Sequence, residues 1–173
     1  MHDDVYQMYL EEIKRIPPCT AKEEEMLLGL AKSGDKAARE RLLEGMLHYV
    51  VKLAGGFRNQ GLPAGDLVQE ANMALLLALD QYESGNFREQ VKDLVEENLN
   101  AAIEMQKKEK QTEEEMVARV NVLKDISGMM AEELGREATV EELAEKMKMT
   151  VDEIKAIMKL TLDAMSVSPD AEI

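Results

Sequence analysis

Apolar residues recur at helical spacing along nearly the whole chain. In residues 3–15, DDVYQMYLEEIKR, the residues Val5, Met8, Tyr9 and Ile13 share one side, and Pro17-Pro18 stops the helix they predict. Thr20 and Glu23 have the spacing of a capping box. Met26, Leu27, Leu30 and Ala31 carry a second helix to a break at Ser33-Gly34-Asp35. From Lys36 the pattern restarts with Ala37, Ala38, Leu42, Leu43, Met46, Leu47, Val50, Val51 and Leu53. This predicts a helix of about six turns, ending at Gly55-Gly56 or at Asn59-Gln60-Gly61.

The stretch from Gly61 to Tyr82, GLPAGDLVQEANMALLLALDQY, organises the first part of the chain. Pro63 suits a helical first turn. At 100° per residue, Leu67, Ala71, Ala74, Leu75 and Ala78 form one face, small enough for close packing against the long helix before it. Asp66, Gln69 and Glu70 point the other way, and Met73 and Leu77 extend that second face. A polar start leading into Met and Leu suits a docking surface; it equally suits a central helix packed on more than one side.

After a turn at Glu83-Ser84-Gly85-Asn86, residues 87–105 read as a polar helix with Val91, Leu94, Val95, Leu99 and Ile103 on one stripe. Glu89, Asp93, Glu96, Glu97 and Asn100 fall on its exposed side. Residues 106–115, QKKEKQTEEE, contain no hydrophobe and change sign from basic to acidic. They suit a module boundary, with Thr112 and Glu115 capping a new helix, and equally a continuous polar helix. Met116, Val117, Val120, Leu123, Ile126, Met130 and Leu134 follow on one further helix, ended by Gly135. Thr139 with Glu142, and Thr150 with Glu153, predict two short helices joined by a tight turn. Leu143, Ala144, Met147, Val151, Ile154 and Ile157 supply their core. The result is a helix-turn-helix within a three-helix unit. Its second helix carries Lys155 and Lys159 as candidate DNA contacts, but also Asp152 and Glu153, and none of the Arg or Asn that usually read the major groove.

Composition narrows the function. The chain has 173 residues, no Trp, thirteen Met and a net charge of -14. Residues 1–60 hold 9 basic and 10 acidic side chains, residues 61–105 hold 2 and 9, and residues 106–173 hold 10 and 16. Two acidic segments oppose autonomous DNA binding and favour a basic protein partner. The single cysteine, Cys19, cannot form an intramolecular disulfide and fits a reducing cytoplasm. No apolar run is long enough to span a membrane, and the acidic start lacks a secretory signal's basic residues. No GxxxxGK[ST], HExxH or paired CxxC run occurs, so an enzyme, a cofactor and a metal are not expected. His48, in the long helix, reads as structural.

Taken together these segments resemble the primary bacterial RNA polymerase sigma factors of the sigma-70 family. MYLEEIKRIPPCTAKEEE is similar to their helix before the core-binding domain. GDKAARERLLEGMLHYVVKLAGGFRNQGLPAGDLVQEANMALLLALDQYE is similar to their core-binding helices. EELGREATVEELAEKMKMTVDEIKAIM is similar to their third domain. The most specific runs are DLVQEAN and LGREATVEELA. The resemblance implies an all-α chain. Residues 1–108 would be a domain 2-like core-binding bundle, and residues 112–165 a domain 3-like three-helix helix-turn-helix domain. It implies docking on the coiled coil of the largest subunit of core RNA polymerase through Asp66, Leu67, Gln69, Glu70 and Asn72, with Met73 extending the patch.

The departures from the family lie beside that patch. The family's aromatic, basic strand-opening stretch falls on VKDLVEENLNAAI, residues 91–103. Its two tryptophans fall at Glu97 and Asn98, its tyrosine at Leu94 and its arginine at Asn100. Stacking on a base needs a π face, which none of these offers. The histidine and glutamate that begin the family's third domain fall at Glu115 and Ala118. The sequence ends at Ile173, short of the family's RNA-channel loop and promoter-binding fourth domain. The expectation is a sigma-like factor that has lost promoter melting and works with a second, promoter-recognising sigma-like subunit. The alternatives are a decoy on the polymerase docking site and a helix-turn-helix DNA-binding module that does not touch polymerase. Promoter DNA is expected to bind only weakly, or within the complex.

Overall fold

The computed structural model describes residues 2–166, and the side chains of residues 6–162. The described residues form seven α-helices: α1 (His2–Arg15), α2 (Ala21–Lys32), α3 (Lys36–Gly55), α4 (Ala64–Gln81), α5 (Phe87–Leu134), α6 (Val140–Met147) and α7 (Val151–Ser166). The chain divides near residue 107 into two compact units.

The first unit is built on α3 and α4. Leu42, Met46, Val50 and Ala54 of α3 meet Leu67, Ala71, Ala74, Leu75 and Ala78 of α4, all essentially inaccessible to solvent. The alanines let the two helices approach closely, as the wheel of α4 predicts. Val91, Val95, Leu99 and Ile103 of α5 close the core with Phe87, whose ring meets Tyr82 edge-on at 5.3 Å. Thr20 caps α2 in a complete capping box with Glu23. Asp35 caps α3 by accepting from the amide of Ala38.

Three expectations for this unit need correction. Met8, read onto the apolar side of α1, faces solvent and is 65% exposed. The covered residues of α1 are Tyr6, Tyr9, Leu10 and Ile13, so Tyr9 and Ile13 lie inward as read; Val5 lies outside the described side chains. In α2, Met26 and Leu30 face solvent while Leu27 and the charged Glu24 face inward. Glu24 is drawn in by a partner on a distant element, the guanidinium of Arg88 at 2.6 Å. Pro63 stands one residue before α4 rather than inside it, and no side chain caps that helix.

Gly45 of α3 and Cys19 show why one glycine is needed. The Cys19 amide donates to the Gly45 carbonyl at 3.3 Å, and the cysteine side chain occupies the space where a Cβ on Gly45 would sit. His48 joins the same region to the first loop: a carbonyl only accepts, so His48 Nε2 donates to Ile16 O, at 2.8 Å.

The second unit packs the C-terminal part of α5 with α6 and α7. Its buried residues are Leu123, Leu143, Ala144, Ile154 and Ile157, with Val120, Ile126 and Met130 half-buried around them. Of the apolar residues read along this helix, Met116, Val117 and Leu134 are exposed. Both short helices carry their capping boxes. Thr139 and Glu142 cap α6, and Thr150 and Glu153 cap α7. Lys148 takes the left-handed conformation at the turn between them. Thr112 and Glu115 do not cap a helix, because α5 runs through them without a break.

Candidate partner-docking site

Helix α4 is enclosed on one side only. Its buried positions are Leu67, Val68, Ala71, Ala74, Leu75, Ala78 and Leu79. Asp66, Gln69, Met73, Leu76, Leu77 and Asp80 are exposed and Glu70 half-buried. At 100° per residue these last seven fall within an arc about 120° wide. The arc is a continuous strip: carboxylates and an amide in the first turns, then Met73 (60% exposed), Leu76 (44%) and Leu77 (38%). Leu76 is absent from the sequence reading, although the helical wheel places it beside Gln69. At the far end Asp80 is paired with Arg39 at 2.7 Å.

Six residues carry the expected polymerase contact, and the structure separates them. Asp66, Gln69, Glu70 and Met73 share the open strip. Leu67 does not: it is 1% exposed and fills the core against α3. A side chain there acts by holding α4 in place, and the expectation of a direct contact at Leu67 is corrected. Asn72 lies at the edge of the strip and turns toward α1. Its Nδ2 donates to the Tyr9 hydroxyl at 2.7 Å, while its Oδ1 is buried without a partner. Tyr9 is half-buried there, and burial raises its pKa. Tyr6, Tyr9, Asp66, Gln69 and Asn72 line a hollow of about 280 Å³ where α1 meets α4. α1 therefore forms one bank of the strip, a neighbour that local periodicity does not reveal.

The solvent side of α5 within the first unit is acidic. Glu89, Asp93, Glu97, Asn100 and Glu104 are exposed, Glu96 and Asn98 are partly covered, and Leu94 packs on the core. The only aromatic residue of α5, Phe87, is buried. No π face is presented to a base along this helix, and a phosphate backbone would meet carboxylates.

In the second unit Lys155 and Lys159 are exposed one turn apart on α7. Asp152 and Glu153 precede them, also exposed. The Glu153 carboxylate is taken up by the Thr150 amide and hydroxyl at 2.8 and 2.9 Å, which lowers its pKa. Among the described residues no group of His, Cys, Asp and Glu side chains is placed to hold a metal. No described helix is long and apolar enough to cross a membrane.

Comparison with known proteins adds the family. A family model described as Sigma-70 region 3 matches residues 118–173. RNA polymerase sigma factor SigA from a Bacillus species is 32% identical over 151 residues, which cover 86% of this chain and 40% of that protein. SigA from Clostridium acetobutylicum is 33% identical over 150 residues, covering 85% of this chain and 40% of that protein. The chain thus spans about 40% of the length of these relatives. An all-helical fold, a region 3 match over the helix-turn-helix unit, and SigA similarity across most of the chain are one consistent set, and each points to the sigma-70 family.

Proposed function

We propose that this protein is a sigma-like transcription initiation factor that docks on core RNA polymerase through the open strip of α4. The contact is assigned to Asp66, Gln69, Glu70 and Met73, with Leu76 and Leu77 completing its apolar half and Asn72 at its border. The observation that carries this reading is the strip itself. A helix packed on its opposite side leaves free one face, running from charged to apolar. Such a face fits a basic partner helix: Arg or Lys against Asp66 and Glu70, aliphatic side chains against Met73 and Leu77. The coiled coil of the polymerase's largest subunit is the proposed partner.

Promoter melting is not part of the proposed role. The side chains at positions 94, 97, 98 and 100 supply neither rings nor positive charge, so a second subunit must bring promoter recognition and strand opening. DNA contact by Lys155 and Lys159 is then confined to the assembled complex. The acidic side of α5 also favours a second reading, in which the protein occupies the docking site and keeps other sigma factors away.

Pull-down of core polymerase by the full chain, compared with a Gln69→Ala/Glu70→Ala variant, tests the shared premise. The expected result is retention by the wild type and loss by the variant; equal retention rejects docking through α4. Transcription in vitro then separates the two roles. Recruitment adds promoter-specific transcripts in the presence of the second subunit, whereas a decoy lowers output from every promoter.

A further inference from the structure

Helix α2 buries an acid and exposes hydrophobes. Glu24 faces the core, while Met26 and Leu30 are 59% and 41% exposed. This rotation is held at three points. Leu27 lies in the core, Glu24 is bound by Arg88, and Glu23 is tied to Arg41 at 2.9 Å. Met26 and Leu30 are thus kept outward. Gly29, on the same side, is exposed too. A glycine in mid-helix is unfavourable. No atom of another element lies within 4 Å of where its Cβ would stand, so the fold of a single chain does not require it.

We propose that this face of α2 docks a second copy of the same chain, antiparallel, across a two-fold axis beside Gly29. The surface is separate from the open strip of α4, and the proposal does not depend on polymerase docking.

The occupant follows from the pattern of the face. At 100° per residue Lys22, Met26, Gly29 and Ser33 run along its middle. Leu30 flanks them on one edge, Glu25 and Lys32 on the other, and all seven are exposed. A two-fold axis across the helix brings each edge against its own copy. With that axis level with Leu28, Met26 lies opposite Leu30 of the second copy, and the reverse. On the other edge Glu25 and Lys32 of the second copy stand about 1.5 Å apart in height, and this pair also occurs twice. Apolar meets apolar and each charge meets its opposite. A parallel pairing sets Glu25 against Glu25 and Lys32 against Lys32. Gly29 falls where the two backbones pass, and its missing side chain lets them approach. Lys32 gives one donor to the Glu83 carbonyl at 2.5 Å and keeps others for the pair. One helix of twelve residues makes an interface below standard size, so the dimer is weak, with Kd on the order of 100 µM.

Sedimentation equilibrium of the full chain at low salt, from about 10 µM to about 1 mM, tests this. The wild-type average mass is expected to climb from one chain toward two over that range. Glu25→Lys and Lys32→Glu each turn two attractions into two repulsions, and each is expected to weaken self-association by at least about tenfold. Mixed in equal amounts, the two variants regain both pairs and dimerise as well as wild type. Loss in each alone with recovery in the mixture is the signature of antiparallel alignment. Gly29→Leu fills the space at the crossing, yet meets nothing within one chain. It is expected to melt at or above the wild-type temperature and to weaken the dimer by at least about tenfold. Its melting curve, and those of the charge variants, separate lost association from lost folding. Wild type that stays a single chain at about 1 mM overturns the proposal, whatever other partner the face takes. So does a mixture no heavier than its components, or a folded Gly29→Leu that dimerises like wild type.

Discussion

Arg88 sits where two attractions meet. Its Nε and Nη2 donate to the Glu24 carboxylate at 2.6 to 3.0 Å, and its guanidinium carbon lies 5.0 Å from the centre of the Tyr49 ring. Glu24 is the buried charged residue of this unit, 6% exposed, and Arg88 neutralises it. Removing the cation should therefore cost more than removing the anion. Arg88→Ala leaves an unpaired carboxylate inside and is expected to destabilise the chain by about 2–3 kcal/mol, less than for a fully buried pair because the arginine is 43% exposed. Glu24→Gln leaves an arginine able to turn to water and should cost less. Urea denaturation of the two variants checks the order; equal losses would mean that Glu24 gains nothing from its partner. This pair was not legible from the sequence. Periodicity placed Met26 and Leu30 inside α2 because they are apolar, yet the helix turns to bury an acid whose partner lies 64 residues away. Met8 failed likewise: an apolar residue needs a neighbour to be buried, and local spacing cannot name one.

At the scale of the element, caps were the most legible features, because a cap is made by residues three apart. The pairs at Thr20, Thr139 and Thr150 formed as read, whereas Thr112 met the same rule and took the other course, since local sequence permits a cap without compelling a break. The α6 cap makes a definite pH prediction. Arg136 donates to the Glu142 carboxylate at 2.7 and 2.9 Å, and the Thr139 amide donates to it at 2.8 Å. First the arginine and then the Thr139 amide hold the Glu142 pKa down, from 4.5 to about 2. A depressed carboxylate stabilises the fold above its unfolded value, and that contribution disappears as the pH falls from about 4.5 toward 2. Wild type should melt above Glu142→Gln at pH 7, and the difference should vanish near pH 2. A gap that persists at pH 2 would place the effect in packing rather than in charge. For α4, the helical wheel separated the open strip from the core correctly. The family resemblance, blind to burial, counted Leu67 among the contacts even though the same wheel had already placed it inside.

For the whole molecule, the absence of alternating strand patterns and the recurrence of helical stripes were enough to indicate an all-helical chain, and the DLVQEAN and LGREATVEELA runs were enough to indicate the family. What a sequence pattern did not supply was the meeting of distant elements: α1 beside the docking strip, Arg88 on α2, Cys19 against α3. The two units also differ greatly in their interiors. Among the described residues, the first buries nineteen in one hydrophobic cluster, drawn from α2 through α5 and the loop before them, and the second buries five. Since hydrophobic stabilisation follows the apolar area removed from water, resistance to unfolding rests mainly with the first.

That first interior contains the chain's one sulfhydryl. Cys19 is 6% exposed, wedged against Gly45, and burial pushes its thiol pKa up, away from the reactive thiolate. The protein thus carries a built-in chemical clock. A coloured disulfide reagent can reach the sulfur only when the larger unit opens, so the rate of colour release across a urea series measures that opening and ignores the helix-turn-helix unit. Slow release without urea and a steep rise through the unfolding transition are expected; full reaction of the native chain within seconds would mean that the wedge is open.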